Sequence, residues 1–582
     1  MSRRGAIAGG AAVAAATAAL YFVSRGKWSD VVIDSGREWI VPDAISRGAL
    51  LYRDVVYWFG PFTPYFQAAF LKFFGSGFPA LVIAGAVASL ALLGVLRWAL
   101  GRVTGSAEAW LWTALAIPVL VFMPEGGGSL LGMGYRIWHA AAFSLAAVAL
   151  AGGGRPSSGR AAAVGLLAAG AGLCRSEWGL VGLAAALTVT VLEGPDGRVA
   201  VRRAAVSALA FFVAFGGALA AFVKAAGWKS VIEDGHVLLT GLSPETRTFL
   251  VRFSGIADWR RGAPEGLYVA ASWVGAFLVV AMTAAWRRQP AAIRRLAPAL
   301  AASFVVMIVG GVAGGWGAKP YSGAPWICLG AAIVALLRRR GSSSPMLAGC
   351  GLAGVLLSYR RPFHIGDSGY VGPPLLFALV CAAGLAELAL REGAQGSEVR
   401  GRRLFRLALG SLVAFAFALR IHGYAEDERV PVAGTGGMLA ARAELARRVE
   451  RLSRHLAKTI GPDGGLVVLP EGEILNALSG RRNPMRYMLF LPGYLSDSNE
   501  EDVIREFERA RPSAVVVLYR PTSEYGPSIF GEDYGLRLAA YLGEHYDFRD
   551  FSDEDRVRSR VGGSARIGTR RARDAADAGA AR

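Results

Sequence analysis

The chain has 582 residues, of which 53% are hydrophobic and 18% charged, and its mean hydropathy is +0.39. A soluble domain carries roughly 25% charged residues, so this composition excludes a cytosolic enzyme, a disordered chain and a secreted disulfide scaffold. The net charge of +19 belongs to residues 1–420, because residues 421–582 hold 24 basic and 25 acidic side chains. Basic residues concentrated in the apolar part indicate the topology of a multi-pass membrane protein rather than nucleic-acid binding.

Apolar stretches of about 15–25 residues predict about 13 transmembrane helices. The predicted spans lie near residues 5–23, 78–100, 109–123, 138–152, 161–174, 178–192, 204–225, 267–286, 297–315, 323–337, 346–358, 371–390 and 404–420. The short connector Cys174-Arg175-Ser176-Glu177 is either a kink or a true break. Two adjacent charges are expensive in hydrocarbon, which favours a loop or a cavity position.

The arginine clusters predict the orientation of the spans. With the N-terminus in the cytoplasm, the clusters at 287–295, 338–340 and 400–403 all fall in cytoplasmic loops. The positive-inside rule then places the first loop (24–77) and everything after residue 421 outside the plasma (bacterial inner) membrane. Residues 1–23 are alternatively a cleaved signal peptide, which leaves the remaining topology unchanged.

The predicted organisation has three parts. Residues 1–420 form the transmembrane domain, 421–566 a small extracytoplasmic α/β domain, and 567–582 a disordered tail. Within the second part, an amphipathic helix at 437–460 precedes a strand at Leu466–Leu469, and a helix at 499–510 precedes a strand at Ala514–Tyr519.

A basic-aromatic loop, residues 479–487, lies between these two strands and contains Arg481 and Arg486. It is either a solvated loop pinned to the domain or a contact to an anionic substrate at the membrane surface. The four cysteines show no metal-ligand spacing and are expected to be small buried hydrophobes, so no metal site is predicted.

The first outer loop interleaves aromatic, arginine and carboxylate side chains, unlike a linker. It contains Asp34-Ser35-Gly36-Arg37-Glu38 and Leu51-Tyr52-Arg53-Asp54, followed by Tyr57. Two alternatives hold for its carboxylates. Asp34 caps the helix that begins near Gly36 and Asp54 pairs with a neighbouring arginine, or one of them is a general base near a cationic group that binds a leaving phosphate.

The pattern "D-x-G-R-E…VP…G…LYRDV…GP…Y", directly after the first span, resembles the first outer loop of the GT-C superfamily. This superfamily comprises multi-pass glycosyltransferases that use polyprenyl-phosphate sugars. It includes the protein mannosyltransferases and the lipid A aminoarabinose transferases, and the chain is most similar to bacterial lipopolysaccharide-core and protein-mannosyltransferase-like relatives. The stretches Tyr359–His364 and Pro470…Arg486-Tyr487 agree with the family pattern, although Phe363 stands where an acid is often found.

The resemblance implies that the catalytic base is an acid of the first outer loop. The matching position is Asp34, with Asp54 as the second candidate and Glu38 as the third. The loop has no Asp-x-Asp pair, so the metal-dependent version of the superfamily is not supported and no cofactor is predicted. The implied partners are a polyprenyl-phosphate sugar in the bilayer and an extracytoplasmic glycan, lipid or protein acceptor, with no nucleic acid.

The predicted reaction is an inverting displacement, which needs one base and positive charge at the departing phosphate. Arg361 with His364 is the first choice for that charge, followed by Arg136 and Arg175. Glu177 either contributes to the site or only neutralises Arg175. The remaining predicted substrate-binding residues are Arg37, Tyr57, Arg481 and Arg486. The alternative function is a multi-pass transporter or a lipid flippase, which broken helices and midplane charges would favour.

Overall fold

The computed structural model describes residues 3–123, 130–133, 136–153, 157–193, 196–233, 235, 324–337, 344–358, 372–392, 398–496, 499–551 and 565–571. Contacts divide the chain into two compact units. Unit 1 comprises Met1–Ser24, Gly85–Ala218 and Ser254–Asp427. Unit 2 comprises Arg25–Ala84, Leu219–Phe253 and Glu428–Arg582.

Up to residue 427 the described regular elements are helices, joined by turns and loops that include one isolated β-bridge between Leu51 and Val55. Its helices in chain order are α1 Arg3–Ser24, α2 Ser35–Ser46, α3 Phe62–Phe74, α4 Phe78–Val103, α5 Ser106–Ala116, α6 Leu130–Met133, α7 Arg136–Ala151, α8 Ser158–Cys174, α9 Ser176–Glu193, α10 Gly197–Ala226, α11 Ala324–Leu337, α12 Ser344–Leu357, α13 Gly372–Glu392 and α14 Glu398–Ala425. Short π-helical turns cover Ile117–Val121 and Lys229–Glu233.

Five of the described helices are long and apolar enough to cross a membrane. They are Ile7–Ser24, Phe78–Val103, Ser176–Glu193, Gly197–Ala226 and Gly401–Ala425. Six shorter apolar helices accompany them: Ser106–Val121, Arg136–Ala151, Ser158–Cys174, Ile327–Leu337, Pro345–Leu357 and Pro374–Leu388. Each coincides with a predicted span. The spans predicted near 267–286 and 297–315 lie outside the described residues, so the count of 13 stays a prediction.

Glycine allows the helices of unit 1 to approach closely. A Cβ added at Gly165 of α8 would lie 2.1 Å from the Ser207 carbonyl oxygen of α10. A Cβ at Gly179 of α9 would lie 2.5 Å from the Gly172 Cα of α8. Small residues let apolar helices pack backbone to backbone, which explains the glycine-rich and alanine-rich composition of these segments.

Buried charges of unit 1 are neutralised within it. Glu108 of α5 is fully buried, and its Oε1 accepts a hydrogen bond from Arg406 Nε of α14 at 2.8 Å. Glu387 of α13 pairs with Arg402 of α14, also at 2.8 Å. A buried carboxylate is stable only when paired. Arg402, from the cluster at 400–403, and Arg406 therefore connect α14 to α13 and α5.

Unit 2 contains α2 and α3 of the first loop and all the strands found among the described residues. The remaining helices are α15 Ala443–Thr459, α16 Ile474–Ser479, α17 Glu500–Ala510 and α18 Leu536–His545. The strands are β1 Val430–Pro431, β2 Ala440–Ala441, β3 Leu466–Leu469, β4 Ala514–Leu518, β5 Tyr546–Phe551 and β6 Ala565–Arg570. β1 and β2 pair with each other, and the other four strands form a sheet in the order β3-β4-β6-β5.

The apolar patterns explain these elements. Strand β3 is buried throughout and pairs in parallel with β4, with Leu466 opposite Ala514, whereas β6 runs antiparallel to β4 and β5. Helix α15 buries Val449, Leu452 and Leu456, at three- to four-residue spacing, and leaves its arginines outside. Short βα-type connections bring such helices onto the sheet and create a layered core.

The structure differs from the sequence predictions in two places. Residues 567–570, predicted to begin a disordered tail, belong to β6, which pairs on both sides within the sheet. Their apolar content is low, and pairing with the two neighbouring strands, together with burial of Ile567, stabilises them. In addition, Arg25–Ala84 groups with the C-terminal segment rather than with the helices of unit 1. The predicted boundary near residue 420 remains a prediction.

Candidate functional site

A tight turn sets the position of Asp34 directly before α2. The Asp30 Oδ1 atom accepts hydrogen bonds from the backbone N–H groups of Val32, at 2.7 Å, and Ile33, at 2.6 Å. Asp34 then adopts φ 67° and ψ −41°, and the Ser35 N–H donates to the Ile33 carbonyl oxygen at 2.8 Å. This is a γ-turn with positive φ at its centre, a rare and strained conformation for a residue with a side chain.

The Asp34 carboxylate does not cap α2, although Asp34 holds the capping position. Its backbone carbonyl accepts the Glu38 N–H at 2.9 Å, but its side chain makes no capping hydrogen bond. The carboxylate instead pairs with the Arg37 guanidinium one turn along the helix. The Asp34 side chain is 39% exposed and the Arg37 side chain 7% exposed. A buried arginine therefore orients an accessible carboxylate.

Gly36 brings the start of α2 against the segment Pro470–Glu473, which follows β3. A Cβ added at Gly36 would lie 2.1 Å from the Ile474 backbone nitrogen and 2.4 Å from the Glu473 carbonyl carbon. No residue with a side chain fits this approach without moving one of the two backbones. The glycine in the D-x-G-R-E pattern is thus explained by close packing between segments that lie more than 400 residues apart in the chain.

Two buried carboxyl groups lie behind Asp34. Glu471 is 1% exposed and pairs with Arg520, and Glu473 is 2% exposed. Burial raises the pKa of Glu471 to about 8, despite the opposing effect of Arg520. Burial also raises the pKa of Glu473 to about 7. For both glutamates, the negative charge of Asp34 raises the pKa and the positive charge of Arg37 lowers it. Near neutral pH these carboxyl groups can hold or release a proton beside the Asp34–Arg37 pair.

Sequence reasoning missed Glu471, Glu473 and Arg520. Glu471 and Glu473 follow β3, and Arg520 follows β4, its parallel neighbour. Polar residues beyond the carboxyl ends of adjacent parallel strands meet at one edge of a sheet, where ligands commonly bind in α/β proteins. The sequence could have grouped these three residues by that rule, once β3 and β4 were recognised as parallel neighbours. Their proximity to Asp34 required the tertiary structure.

Glu38 lies beside the Asp34–Arg37 pair, whereas Asp54 and Tyr57 have other surroundings. Glu38 is buried, and its Oε1 lies 3.6 Å from Arg37 Nη2. Asp54 binds Arg53 through both oxygens, at 2.8 and 2.9 Å, and this pairing lowers its pKa. Tyr57 is buried in an apolar cluster and packs edge-on against Phe59. These contacts favour the pairing alternative for Asp54 and a packing role for Tyr57.

Arg481 and Arg486 both have partners within unit 2. The Arg481 guanidinium donates to the Ile460 carbonyl at 2.9 Å and the Ala457 carbonyl at 2.6 Å, at the C-terminal end of α15. Arg486 Nη2 donates to the Tyr52 carbonyl at 3.0 Å and to Ser230 Oγ at 3.1 Å. Both contacts favour structural roles: Arg481 closes a helix end, and Arg486 joins the first loop to the C-terminal segment.

The other predicted basic residues belong to unit 1 or fall outside the described chain. Arg136 is buried at the start of α7. Arg175 is 2% exposed at the break between α8 and α9, and its Nη2 lies 2.6 Å from Glu177 Oε1. The connector is therefore a true break with a neutralising pair. Arg361 and His364 lie outside the described residues, so their roles stay predictions.

Among the residues that the structure describes, no group of three or more His, Cys, Asp or Glu side chains is arranged to hold a metal ion. A metal-independent reaction stays a prediction. The Asp34–Arg37 pair with Glu471, Glu473 and Arg520 nearby groups three carboxyl groups with two guanidinium groups.

Comparisons with known proteins show the fold. No family model and no curated protein sequence matches the chain. The crystal structure of ArnT from Cupriavidus metallidurans in the apo state matches with a TM-score of 0.54 and 12% identity, over 98% of this chain and 99% of that one. The same protein bound to undecaprenyl phosphate matches with a TM-score of 0.50 and 14% identity, over 97% and 98% of the two chains.

A more distant likeness is to the oligosaccharyltransferase AglB from Archaeoglobus fulgidus, with a TM-score of 0.48, 12% identity and coverage of 97% of this chain and 74% of that one. The likeness to ArnT extends over nearly the whole of both chains, so it does not rest on a shared bundle of helices alone. The protein therefore has the fold of ArnT, which confirms the fold implied by the resemblance to the GT-C superfamily.

Proposed function

We propose that the protein is an integral-membrane glycosyltransferase that transfers a sugar from a polyprenyl-phosphate donor to an extracytoplasmic acceptor. The observation that carries the proposal is the accessible Asp34 carboxylate, oriented by buried Arg37 and held in a strained turn. The fold of ArnT supports it, since that protein has been crystallised with undecaprenyl phosphate bound. Helices long enough to cross a membrane also fit a donor whose polyprenyl chain lies in the lipid bilayer.

In the proposed reaction, the Asp34 carboxylate accepts the proton of an acceptor hydroxyl group. The hydroxyl oxygen attacks the anomeric carbon as the bond from that carbon to the phosphate oxygen breaks. The polyprenyl phosphate leaves with the bonding electron pair, and the anomeric centre inverts. Because the polyprenyl phosphate released from a phosphodiester donor is a good leaving group, the chemistry needs a base and positive charge but no general acid.

Strain and pairing at Asp34 fit this role. A residue held in a rarely populated conformation costs about 1–3 kcal/mol, and such residues cluster at functional sites. Arg37 restricts the carboxylate to one orientation, which reduces the entropy lost when an acceptor hydroxyl binds. Glu473, with a pKa raised to about 7, is a suitable neighbour to receive the proton after transfer.

Positive charge for the leaving phosphate is assigned to the predicted arginines. Arg361 with His364 remains the first proposal and Arg136 the next. Arg175 is a weaker candidate, because its charge is partly neutralised by Glu177.

We also propose a cytoplasmic N-terminus and an extracytoplasmic unit 2, since the arginine clusters of the loops follow the positive-inside rule. The likeness to ArnT does not favour the transporter alternative.

Substitution of Asp34 by Asn tests the proposal. The full-length protein in nanodiscs is incubated with a panel of polyprenyl-phosphate sugars and an extract of cell-envelope glycans, lipids and proteins as acceptors. Free polyprenyl phosphate is measured, because its release reports bond cleavage whichever acceptor reacts. General-base catalysis contributes about 10²–10⁴-fold, so Asp34→Asn is expected to lower release by that factor. Asp54→Asn tests the second candidate base and is expected to stay near the wild-type rate.

Asp463→Asn is the matched control, because Asp463 is exposed and lies more than 400 residues after Asp34 and Asp54 in the sequence. Wild-type release with Asp34→Asn would refute the base assignment. If Asp54→Asn alone abolished release, the base would be Asp54. If the wild-type protein released polyprenyl phosphate from no donor of the panel, the proposed enzyme class would be wrong.

A further inference from the structure

A cleft of about 500 Å³ opens in unit 2 between the second half of α2 and residues 476–488. Three arginines line it, Arg47, Arg481 and Arg482, against one carboxylate, Asp54. Asp54 is already paired with Arg53. The cleft is therefore positively charged, and none of the functions assigned above uses it.

The arginines of the cleft differ in their availability. Arg481 is engaged by the carbonyl groups at the end of α15. Arg47 is 42% exposed, and its Nη2 pairs with buried Asp43, which anchors it at the end of α2. Arg482 is exposed, and its guanidinium has no hydrogen-bond or ion-pair partner among the described residues. Arg47 and Arg482 can therefore bind an anion that enters the cleft.

Two further polar atoms at the cleft, one on Asn476 and one on Trp39, lack hydrogen-bond partners among the described residues. Asn476 is 2% exposed, and its Nδ2 donates to the Leu466 carbonyl at 2.8 Å and the Arg481 carbonyl at 3.1 Å. These bonds fix the amide and leave its buried Oδ1 as an unpaired acceptor. The Trp39 indole Nε1 is a buried donor without a partner. A buried polar group without a partner costs about 1–3 kcal/mol, which a bound ligand can recover.

The combination of groups indicates the class of ligand. A sugar hydroxyl both donates and accepts hydrogen bonds, so it can satisfy the Asn476 acceptor and the Trp39 donor, and an indole is an apolar surface for a pyranose ring. An acidic group on the same molecule would bind Arg47 and Arg482. A free anion would leave Trp39 and Asn476 unused, and a lipid tail would leave the arginines unpaired.

We propose that this cleft binds an anionic saccharide, through Arg47 and Arg482 at its carboxylate or phosphate and through Trp39 and Asn476 at its ring. Trp39 lies on α2, about 6 Å along the helix axis from Ser35, the first residue of the helix, which directly follows Asp34. The saccharide is thus positioned as the acceptor, or as a part of it, and this assignment to the acceptor rests on the proposed function. The binding itself does not.

Saturation-transfer difference NMR on the full chain in nanodiscs tests the cleft. The probes are glucuronic acid and glucose 1-phosphate, with glucose and inorganic phosphate as controls. Saturable binding of at least one acidic sugar is expected, tighter than either control, and the two acidic probes separate carboxylate from phosphate recognition. Arg482→Gln should weaken this binding by about tenfold, because it removes a charge-assisted hydrogen bond.

Arg454→Gln is the matched control, because Arg454 is an exposed arginine of α15 that does not line the cleft. Equal binding of glucose would overturn the anionic class, and equal binding of phosphate alone would overturn the saccharide class. Unchanged binding in Arg482→Gln and Arg47→Gln would place the ligand elsewhere. Because the readout is binding, loss of the cleft and loss of transferase activity are distinguishable: an intact cleft in a protein without transfer refutes only the proposed function.

Discussion

Gly36→Ala is the sharpest structural test of the candidate site. The added methyl group would lie 2.1 Å from the Ile474 nitrogen, whereas ordinary contact begins at 3.4 Å. Both groups in conflict are backbone, so no side chain can rotate away, and α2 must move from residues 473–474 by about 1.3 Å. Overpacking of this kind costs about 1–3 kcal/mol. A displacement of about 1 Å at a catalytic group lowers the rate by about 10²-fold.

The assay for Gly36→Ala is polyprenyl phosphate release, together with thermal unfolding of the same preparation in detergent. We expect release to fall by about 10²-fold, with a smaller loss of stability. Gly543→Ala is the matched control: Gly543 lies within α18 of the same unit, and nothing lies within 4 Å of its added Cβ. If Gly36→Ala kept wild-type release and stability, the contact between α2 and the segment after β3 would be wrong.

The remaining predictions concern the surroundings of the site. Burial raises the pKa of Glu473 from 4.5 to about 7, so the protonated carboxyl group stabilises the fold at low pH, and this stability is lost as pH rises toward 7. The shift corresponds to about 3 kcal/mol. The unfolding temperature of the wild type should fall relative to that of Glu473→Gln between pH 5 and pH 8, and parallel curves would contradict this. Arg486→Gln removes donors to Tyr52 and Ser230 and should cost about 1–3 kcal/mol and speed proteolysis within the first loop; cleavage no faster than in Arg454→Gln would contradict the docking role.

Local composition was sufficient to predict much of the fold. A run of apolar residues is helical and lipid-compatible irrespective of its neighbours, so predicted spans such as 78–100 and 204–225 coincide with α4 and α10. The amphipathic spacing of α15 and the apolar run of β3 were equally local signals. Strand β6 gave no such signal, because Ile567 is its only large apolar side chain and that residue is buried only once β6 pairs with β4 and β5.

For the candidate site, the pattern around Asp34 and its resemblance to a known outer loop came from the sequence alone. The choice between capping and an accessible carboxylate did not, since the same residue type serves both. The side-chain contact with Arg37 and the strained turn distinguish the two. The structure also distinguishes Asp54 from Asp34 as a candidate base, because the Asp54 carboxylate is paired with Arg53.

The sequence by itself determined that this is an apolar, multi-helix protein with an acidic and basic first loop, because hydropathy and charge patterns act over one helix or one loop. Only the tertiary structure decided which groups surround Asp34. Glu471 and Glu473 are titratable near neutral pH because packing buries them, and Gly36 matters because a second backbone lies against it. Burial and electrostatic coupling depend on contacts between segments more than 400 residues apart, and no local pattern records such contacts.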